Sequence, residues 1–291
     1  MTRRPTVLIT GAARGIGAEL ARQATAAGAR VALVGLEPER LAALAAELDG
    51  ASWFECDVTD QAALSAAVEH TLAAHGAIDV VVANAGIANH GTVAVTPPES
   101  VVKVIEVNLL GVVRTVTATL PAITAGRGHY LLISSAAAFA MLPGLAPYAA
   151  AKAGVEQFAN CLRLELAHKG VTVGSAHPIW IDTDMVRSLA ADLGTFRDGL
   201  RRVPGPLGRT VSVEDCASAL LDGITRRSRK VYVPRSVAVL SALRTLMLGP
   251  LADRMIMAQA KAMVPQFEAE VAASGRFFGS HSTALGGDDA R

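Results

Sequence analysis

Residues 6–17 read TVLITGAARGIG and run directly into AELARQATAAG, residues 18–28. Thr6–Thr10 is a run of aliphatic and β-branched residues, too short for a helix and of ordinary strand length. Gly11, Gly15 and Gly17 then punctuate the chain, and the alanines and leucines behind them recur at helical spacing. A strand that enters a helix through glycines makes an anion cradle. Glycine lets the backbone take positive φ and come close to a phosphate, while the helix N-terminus offers free N–H groups and the positive end of its dipole. The spacing G-x-x-x-G-x-G is not the commoner G-x-G-x-x-G fingerprint, so the turn by itself leaves a purely structural strand–helix junction open.

The same alternation continues outward. Short apolar runs recur at Arg30–Val34, Ser52–Cys56, Ile78–Ala83, His129–Ser134, Val171–Ala176 and Lys230–Val233, with helical patterns such as Pro38–Leu48 and Asp60–His75 between them. Near-continuous β-branched runs alternating with helices predict an α/β fold, a doubly wound, Rossmann-like parallel sheet of about seven strands covered on both faces. This reading assigns residues 1–235 to one domain. Residues 236–274, with no strand signal, form a helical C-terminal extension, and 275–291, rich in Gly, Ser and Asp, are expected to be disordered. Met185–Arg209, broken by glycines and prolines, reads as a mobile loop with a short helix.

Composition narrows the classes. The chain has 291 residues, 51% hydrophobic and 18% charged, against about 25% charged in an average soluble domain; its mean hydropathy is +0.37. The longest uncharged stretch, GHYLLISSAAAFAMLPGLAPYAAA at 128–151, has the length of a bilayer span. Ser134, Ser135, Pro143 and Pro147 divide it into a strand, a loop and the start of a helix, so it is read as part of the core. A net charge of +1 and 4% aromatic residues argue against nucleic acid as a partner. Cys56, Cys161 and Cys216 form neither a disulfide framework nor a zinc motif, and the N-terminus reaches its glycine turn too soon for a signal peptide; both fit a cytoplasmic protein. The histidines offer no metal pair, and His70 and His75 are expected to be solvated.

Ligands of open α/β sheets bind beyond the carboxyl ends of the strands. Asp57 follows the third predicted strand and Asn84-Ala85-Gly86 the fourth, on the same rim as the glycine turn, although each has a plain alternative as a helix cap or a turn residue. Tyr148 and Lys152 fall four apart in YAAAKAGVEQFA, so on a helix they share one face about 6 Å apart along the axis. A phenol is a poor acid–base catalyst at neutral pH, and a neighbouring ammonium lowers its pKa; taken alone, the pair is equally a surface pair. Ser135 ends the preceding strand, where its hydroxyl reaches a substrate carbonyl. Tyr130 and Tyr232 lie within strands as core residues.

TGAARGIG, Asp57, the NAG at 84–86, Asn108 in a helix, Ser135, Tyr148-x-x-x-Lys152 and Pro178 through Thr183, in this order, resemble the short-chain dehydrogenase/reductase family over about the first 235 residues. The resemblance implies an NAD(P)-dependent oxidoreductase that interconverts secondary alcohols and ketones, with the cofactor lying across the strand rim. Gly11, Gly15 and Gly17 would lie at its pyrophosphate, Asp57 at the adenine and Asn84 beside the adenosine ribose, and Arg14, Ile16, Val58, Ala85 and Gly86 would complete the binding set. Pro178, Ile181 and Thr183 would lie at the nicotinamide. Tyr148 is implied as acid in reduction and base in oxidation. Lys152 would hold the nicotinamide ribose and depress the Tyr148 pKa, Ser135 would orient the carbonyl, and Asn108 would position a relay water.

Two positions depart from the family pattern. Pro178-Ile179 replaces the usual Pro-Gly. Gly35 and Leu36 stand where NAD-selective members carry Asp and many NADP-selective members carry Arg. Arg14 and Arg40 suit a 2′-phosphate, whereas Glu37 suits a ribose hydroxyl; the balance leans to NADP.

Met141, Leu142, Trp180, Met185 and Phe196 are expected to form an apolar pocket under the 185–209 loop, for a sterol, lipid or other bulky carbonyl substrate. His177, next to Pro178, is a candidate ligand contact or a structural histidine. The 236–257 segment, with Leu240, Leu243, Leu246 and Met255 flanked by arginines, is a basic amphipathic helix, read as packing on the substrate loop or a subunit interface rather than on a membrane surface. The resemblance further implies a homodimer or homotetramer built on the helices that carry Asn108 and Tyr148. A non-catalytic cofactor-sensing protein on the same fold is the rival reading; it would be expected to lack Ser135, Tyr148 or Lys152.

Overall fold

A computed structural model describes residues 3–202, 205–247 and 249–278. Seven strands, β1 (Thr6–Thr10), β2 (Arg30–Gly35), β3 (Ser52–Glu55), β4 (Val80–Ala83), β5 (His129–Ile133), β6 (Thr172–Pro178) and β7 (Lys230–Val233), lie close to the predicted runs. They form one sheet in the order β3-β2-β1-β4-β5-β6-β7, parallel throughout. Successive residues of a strand face opposite sides. Ile9 and Leu33 therefore join Leu20 of α1 (Gly15–Ala26), Leu41 of α2 (Pro38–Glu47) and Leu220 of α9 (Val213–Thr225) on one face. Leu8 and Tyr130 pack on the other, against α3 (Gln61–His75), α5 (Gly111–Gly126) and α6 (Ala146–Glu165). Burial on both faces is the physical reason for the high hydropathy. Among the described residues, no helix is long and apolar enough to cross a membrane.

The chain turns from β1 to β2 on one side and later returns to β4 on the other. Loops on the two sides of this switch diverge and leave a crevice at the carboxyl rim. The residues that follow β1, β4, β5 and β6, namely Gly11, Asn84, Ser134 and Ile179, open onto it.

Three expectations change. The described residues of 185–209, expected as a mobile loop with one short helix, form two helices, α7 (Asp184–Asp192) and α8 (Gly194–Arg202), and a 3₁₀ turn at Gly205–Gly208; Leu189 and Leu193 give the helices a buried face. His75 is buried and its Nε2 lies 2.9 Å from the Ser52 hydroxyl, whereas His70 is exposed as expected. The extension is helical as expected, made of α10 (Val237–Met247) and α11 (Pro250–Ser274). Of the tail expected to be disordered, Gly275–Phe278 are placed, with Phe278 bridged to Asn89; residues 279–291 lie outside the described residues.

Candidate active site

The crevice is a cleft of about 240 Å³. One end is the glycine cradle. Gly11 and Gly15 hold φ of +64° and +53°, a conformation in which a side chain is strained. A Cβ on Gly11 would stand 2.8 Å from the Ala85 Cα, and one on Gly17 would run into the Gly11 carbonyl oxygen. The close approach is held from β4: the Asn84 side-chain amide donates to the carbonyls of Thr10 (3.0 Å) and Gly11 (3.1 Å), and the Thr10 hydroxyl accepts from the Asn84 and Ala85 N–H groups. Asn84 thus lines the cleft, but its amide is engaged in shaping the turn rather than free for a ribose. Arg14 precedes α1 without a side-chain cap, which leaves the first-turn N–H groups for a ligand.

Next to the cradle, Arg14 Nε donates to Glu37 Oε2 at 2.7 Å, the Arg14 guanidinium closes a second contact with the same carboxylate, and Arg40 Nε lies 3.2 Å from it. Asp184 Oδ2 is 3.6 Å from Arg14. Asp57 lines the wall with its Oδ1 accepting from the Thr59 N–H at 2.8 Å. The cap of α3 is Asp60, whose carboxylate accepts from the Ala62 and Ala63 N–H groups.

The other end carries the polar constellation. Asn108 falls in a π-helical turn, Glu106–Leu110, between α4 (Pro98–Ile105) and α5; such bulges recur at functional sites. Its amide donates to the carbonyls of Ile87 (2.7 Å) and Val104 (2.9 Å), while its buried Oδ1 has no partner among the described residues. Gly86 admits this arrangement, since a Cβ there would lie 2.6 Å from that oxygen. Ser135 caps the short 3₁₀ turn Ala136–Ala138, with its hydroxyl accepting from the Ala137 N–H (3.1 Å) and donating to the Pro178 carbonyl (3.3 Å). Tyr148 stands in the first turn of α6. Lys152 is one turn on, its Nζ donating to the Ile133 carbonyl at 2.9 Å and lying 5.6 Å from the centre of the Tyr148 ring.

The electrostatics correct one expectation. Burial raises the Tyr148 phenol, with its interaction with the Ser135 hydroxyl acting in the opposite direction, and burial pushes the Lys152 ammonium down to about 8. Desolvation penalises both charged forms, so the apolar surroundings outweigh the attraction that the Tyr–Lys spacing suggested. At neutral pH the resident state is phenol and ammonium.

Every residue assigned to the site from sequence lines the cleft except Gly17, which supports the cradle from behind Gly11. The expected substrate wall fares differently. Met185 lines the cleft. Trp180 instead packs edge-on against Phe196 at 5.2 Å, and Leu142 is exposed. Ile179, whose N–H donates to the Val233 carbonyl at 3.0 Å, faces the cleft with Val186 and Ile87. His177 is structural. It is fully buried, its Nε2 is 3.0 Å from the Ser175 hydroxyl, and it stacks on Tyr232, which is itself only half-buried; burial lowers its pKa to about 4. Phe278 also lines the cleft and was missed; its one sequence signal is an aromatic pair, Phe277-Phe278, in an otherwise polar tail. Among the described residues no His, Cys, Asp and Glu cluster is arranged to hold a metal ion.

Comparison with known proteins agrees with this geometry. The short chain dehydrogenase profile matches residues 5–194. The chain is 33% identical over 260 residues to the cattle (Bos taurus) dehydrogenase/reductase SDR family member 7B, covering 85% of this chain and 79% of that protein. It is 35% identical over 222 residues to the 3-oxoacyl-(acyl-carrier-protein) reductase of Chlamydia trachomatis, covering 74% of this chain and 88% of the relative. The crystal structure of a 3-ketoacyl-(acyl-carrier-protein) reductase from Brucella melitensis, complexed with NADH, superposes with a TM-score of 0.71 at 27% identity, over 79% of this chain and 97% of the other. A cradle, an orphan asparagine oxygen and a Ser–Tyr–Lys set on one rim, within the residues that the profile spans, place the chain in the short-chain dehydrogenase family, a family of oxidoreductases.

Proposed function

We propose that this chain is an NAD(P)-dependent oxidoreductase that interconverts a secondary alcohol and a ketone, with Tyr148 as the acid–base group, on a hydrophobic substrate such as a sterol, a lipid or another bulky carbonyl compound. The observation that carries the reading is the cleft itself, which joins an anion cradle at one end to Ser135, Tyr148 and Lys152 at the other.

The residues fit a dinucleotide. Gly11 and Gly17 let the turn close against Ala85 and Asn84, which leaves the uncapped first turn of α1 facing the cleft where a pyrophosphate would sit, and the unpartnered Asn108 oxygen is ready to accept a hydrogen bond at the opposite end. A bound nicotinamide dinucleotide carries the hydride to or from the substrate carbon. The protein's part is proton handling and orientation. The Ser135 hydroxyl donates to the carbonyl oxygen and fixes its direction. Tyr148, held protonated by burial, delivers its proton to that oxygen in reduction and recovers one through Lys152 and a water held by Asn108. Lys152, still largely charged at neutral pH, would hold the nicotinamide ribose of a bound cofactor and stabilise the phenolate that forms.

The cofactor preference proposed is NADP. Arg14 and Arg40 converge on Glu37, so a 2′-phosphate would draw both guanidiniums away from that carboxylate. Ile87, Ile179, Met185, Val186 and Phe278 support an apolar substrate. Exposed Val102, Leu110 and Leu164, on or next to the helices that carry Asn108 and Tyr148, support assembly of identical subunits through that face, as a dimer or tetramer. The test is a hydride-transfer assay with NAD(H) and NADP(H) across steroid, fatty, aromatic and small polar carbonyl compounds. Turnover of bulky apolar ketones, faster with NADPH, is expected; turnover confined to small polar sugars or amino alcohols would contradict the substrate class.

A further inference from the structure

The family profile ends at residue 194, yet one wall of the cleft is Phe278, far beyond it. Its route there is fixed by contacts with the loops that follow β4, β5 and β6. The second half of α11 is tied down first. Glu268 Oε1 accepts from the Thr92 hydroxyl at 2.5 Å, and Glu270 Oε2 accepts from the Thr195 N–H (3.0 Å) and hydroxyl (2.8 Å) at the start of α8. Gly144, in the loop after β5, has φ +82°, and a Cβ there would lie 2.6 Å from the Phe267 ring, so helix and loop meet without space for a side chain.

Past the helix end the chain runs as a short strap. The His90 N–H donates to the Phe277 carbonyl at 2.7 Å, and Asn89 makes an antiparallel bridge with Phe278. Arg276 reaches Asp192 of α7 at 3.5 Å. The Phe277 ring packs with Leu189, Leu193 and Val271. Main-chain bonds, an ion pair and an apolar anchor thus converge on three residues.

We infer that residues 276–278 form a strap that sets which substrates the site accepts, with Phe278 as a specificity-determining side chain. The inference rests on the dehydrogenase reading above and deepens its substrate side. The strap is anchored to the loop that carries Ile87 and to α7, the helix of Met185 and Val186, while α11 before it meets the loop that follows Ser135; these contacts lie with the Ser135 end of the cleft and not with the glycine turn after β1, so Phe278 meets the substrate rather than the phosphates. A ring held there offers a flat apolar face to the part of a ketone remote from its carbonyl. Because the strap is seated by its main chain and by neighbouring side chains, Phe278→Ala removes this face without releasing the strap.

The test compares three proteins: the full chain, Phe278→Ala, and a chain ending at Gly275. Each is assayed for kcat/KM on one small ketone and one ketone with a polycyclic or aromatic substituent, for NADPH affinity by fluorescence, and for hydrogen exchange at the His90 amide. The bulky-to-small ratio of kcat/KM is expected to fall about tenfold, equivalent to about 1.4 kcal/mol, in both altered proteins, with faster His90 exchange only in the shortened one. An unchanged ratio in both would overturn the inference, and so would unaltered His90 exchange in the shortened chain. Failure of the full chain to bind NADPH would overturn the dehydrogenase reading instead, and the exchange result decides the strap independently of it.

Discussion

The two ends of the cleft are built in different ways. The cradle end is local: strand, glycine turn and helix lie within residues 6–26, and a single further segment, Asn84–Gly86, holds the turn through side-chain and backbone bonds. The substrate end is assembled from Ile87 and Asn89, Ser135, Ile179 through Val186, and Phe278, which come from four separate parts of the chain. The first end depends on backbone geometry that only glycine permits. The second depends on side chains, which can change one at a time without disturbing the sheet.

The largest effect expected is at the second end. Tyr148→Phe should lower turnover by roughly 10²–10⁴-fold, the usual worth of a positioned acid–base group, while NADPH affinity measured by fluorescence titration changes little. Substantial remaining turnover would mean that the proton comes from elsewhere. At the cradle, Gly17→Val forces a branched side chain against the Gly11 carbonyl and the Asn84 amide. Dinucleotide affinity should fall about 100-fold, equivalent to about 2.7 kcal/mol, and calorimetry would read it.

Lys152 separates stability from function. Its folded pKa, about 8, lies below the ordinary 10.5. Between those pH values the unfolded chain holds a proton that the folded chain has released, so this group's contribution to stability rises with pH across the window, and its full cost is present below pH 8. Lys152→Met should therefore stabilise the ligand-free protein at pH 7 by about 2 kcal/mol, a shift of that size being worth about 1.4 kcal/mol per pH unit less the lost bond to Ile133, while abolishing turnover. Thermal melts at pH 7 and pH 10 check this, because the gain should shrink at the higher pH. In the full chain, reduction should weaken above pH 8 as the ammonium is lost. The smallest effect concerns cofactor choice. Glu37→Gln removes the carboxylate that engages Arg14 and Arg40 and should raise the preference for NADPH over NADH about tenfold, read as a ratio of KM values.

The contrast between the two ends also accounts for what the sequence revealed. The strands were legible because burial on both faces leaves near-continuous aliphatic runs, and the cradle because its glycines carry the geometry themselves. Ser135, Tyr148 and Lys152 were legible because a strand end and one helical turn fix their spacing. The raised phenol was not, since it depends on how much apolar structure surrounds the pair rather than on the interval between them. The fold of 185–209 was hidden because α7 and α8 take their stability from Phe267 and Val271, residues of a distant helix that no local pattern announces. Phe278 was hidden for the same reason: its tail looks polar, and only the bridge to Asn89 and the bond from His90 turn it into a wall.

The central claim is hydride transfer at this one cleft with Tyr148 supplying the proton. Its most direct measurement is mass spectrometry of the alcohol formed from a bulky ketone and a dinucleotide deuterated at the transferring position of its nicotinamide ring. The account predicts one deuterium at the carbinol carbon with the full chain and almost no product with Tyr148→Phe. Product lacking the label, or labelled product formed as fast by Tyr148→Phe, would contradict it.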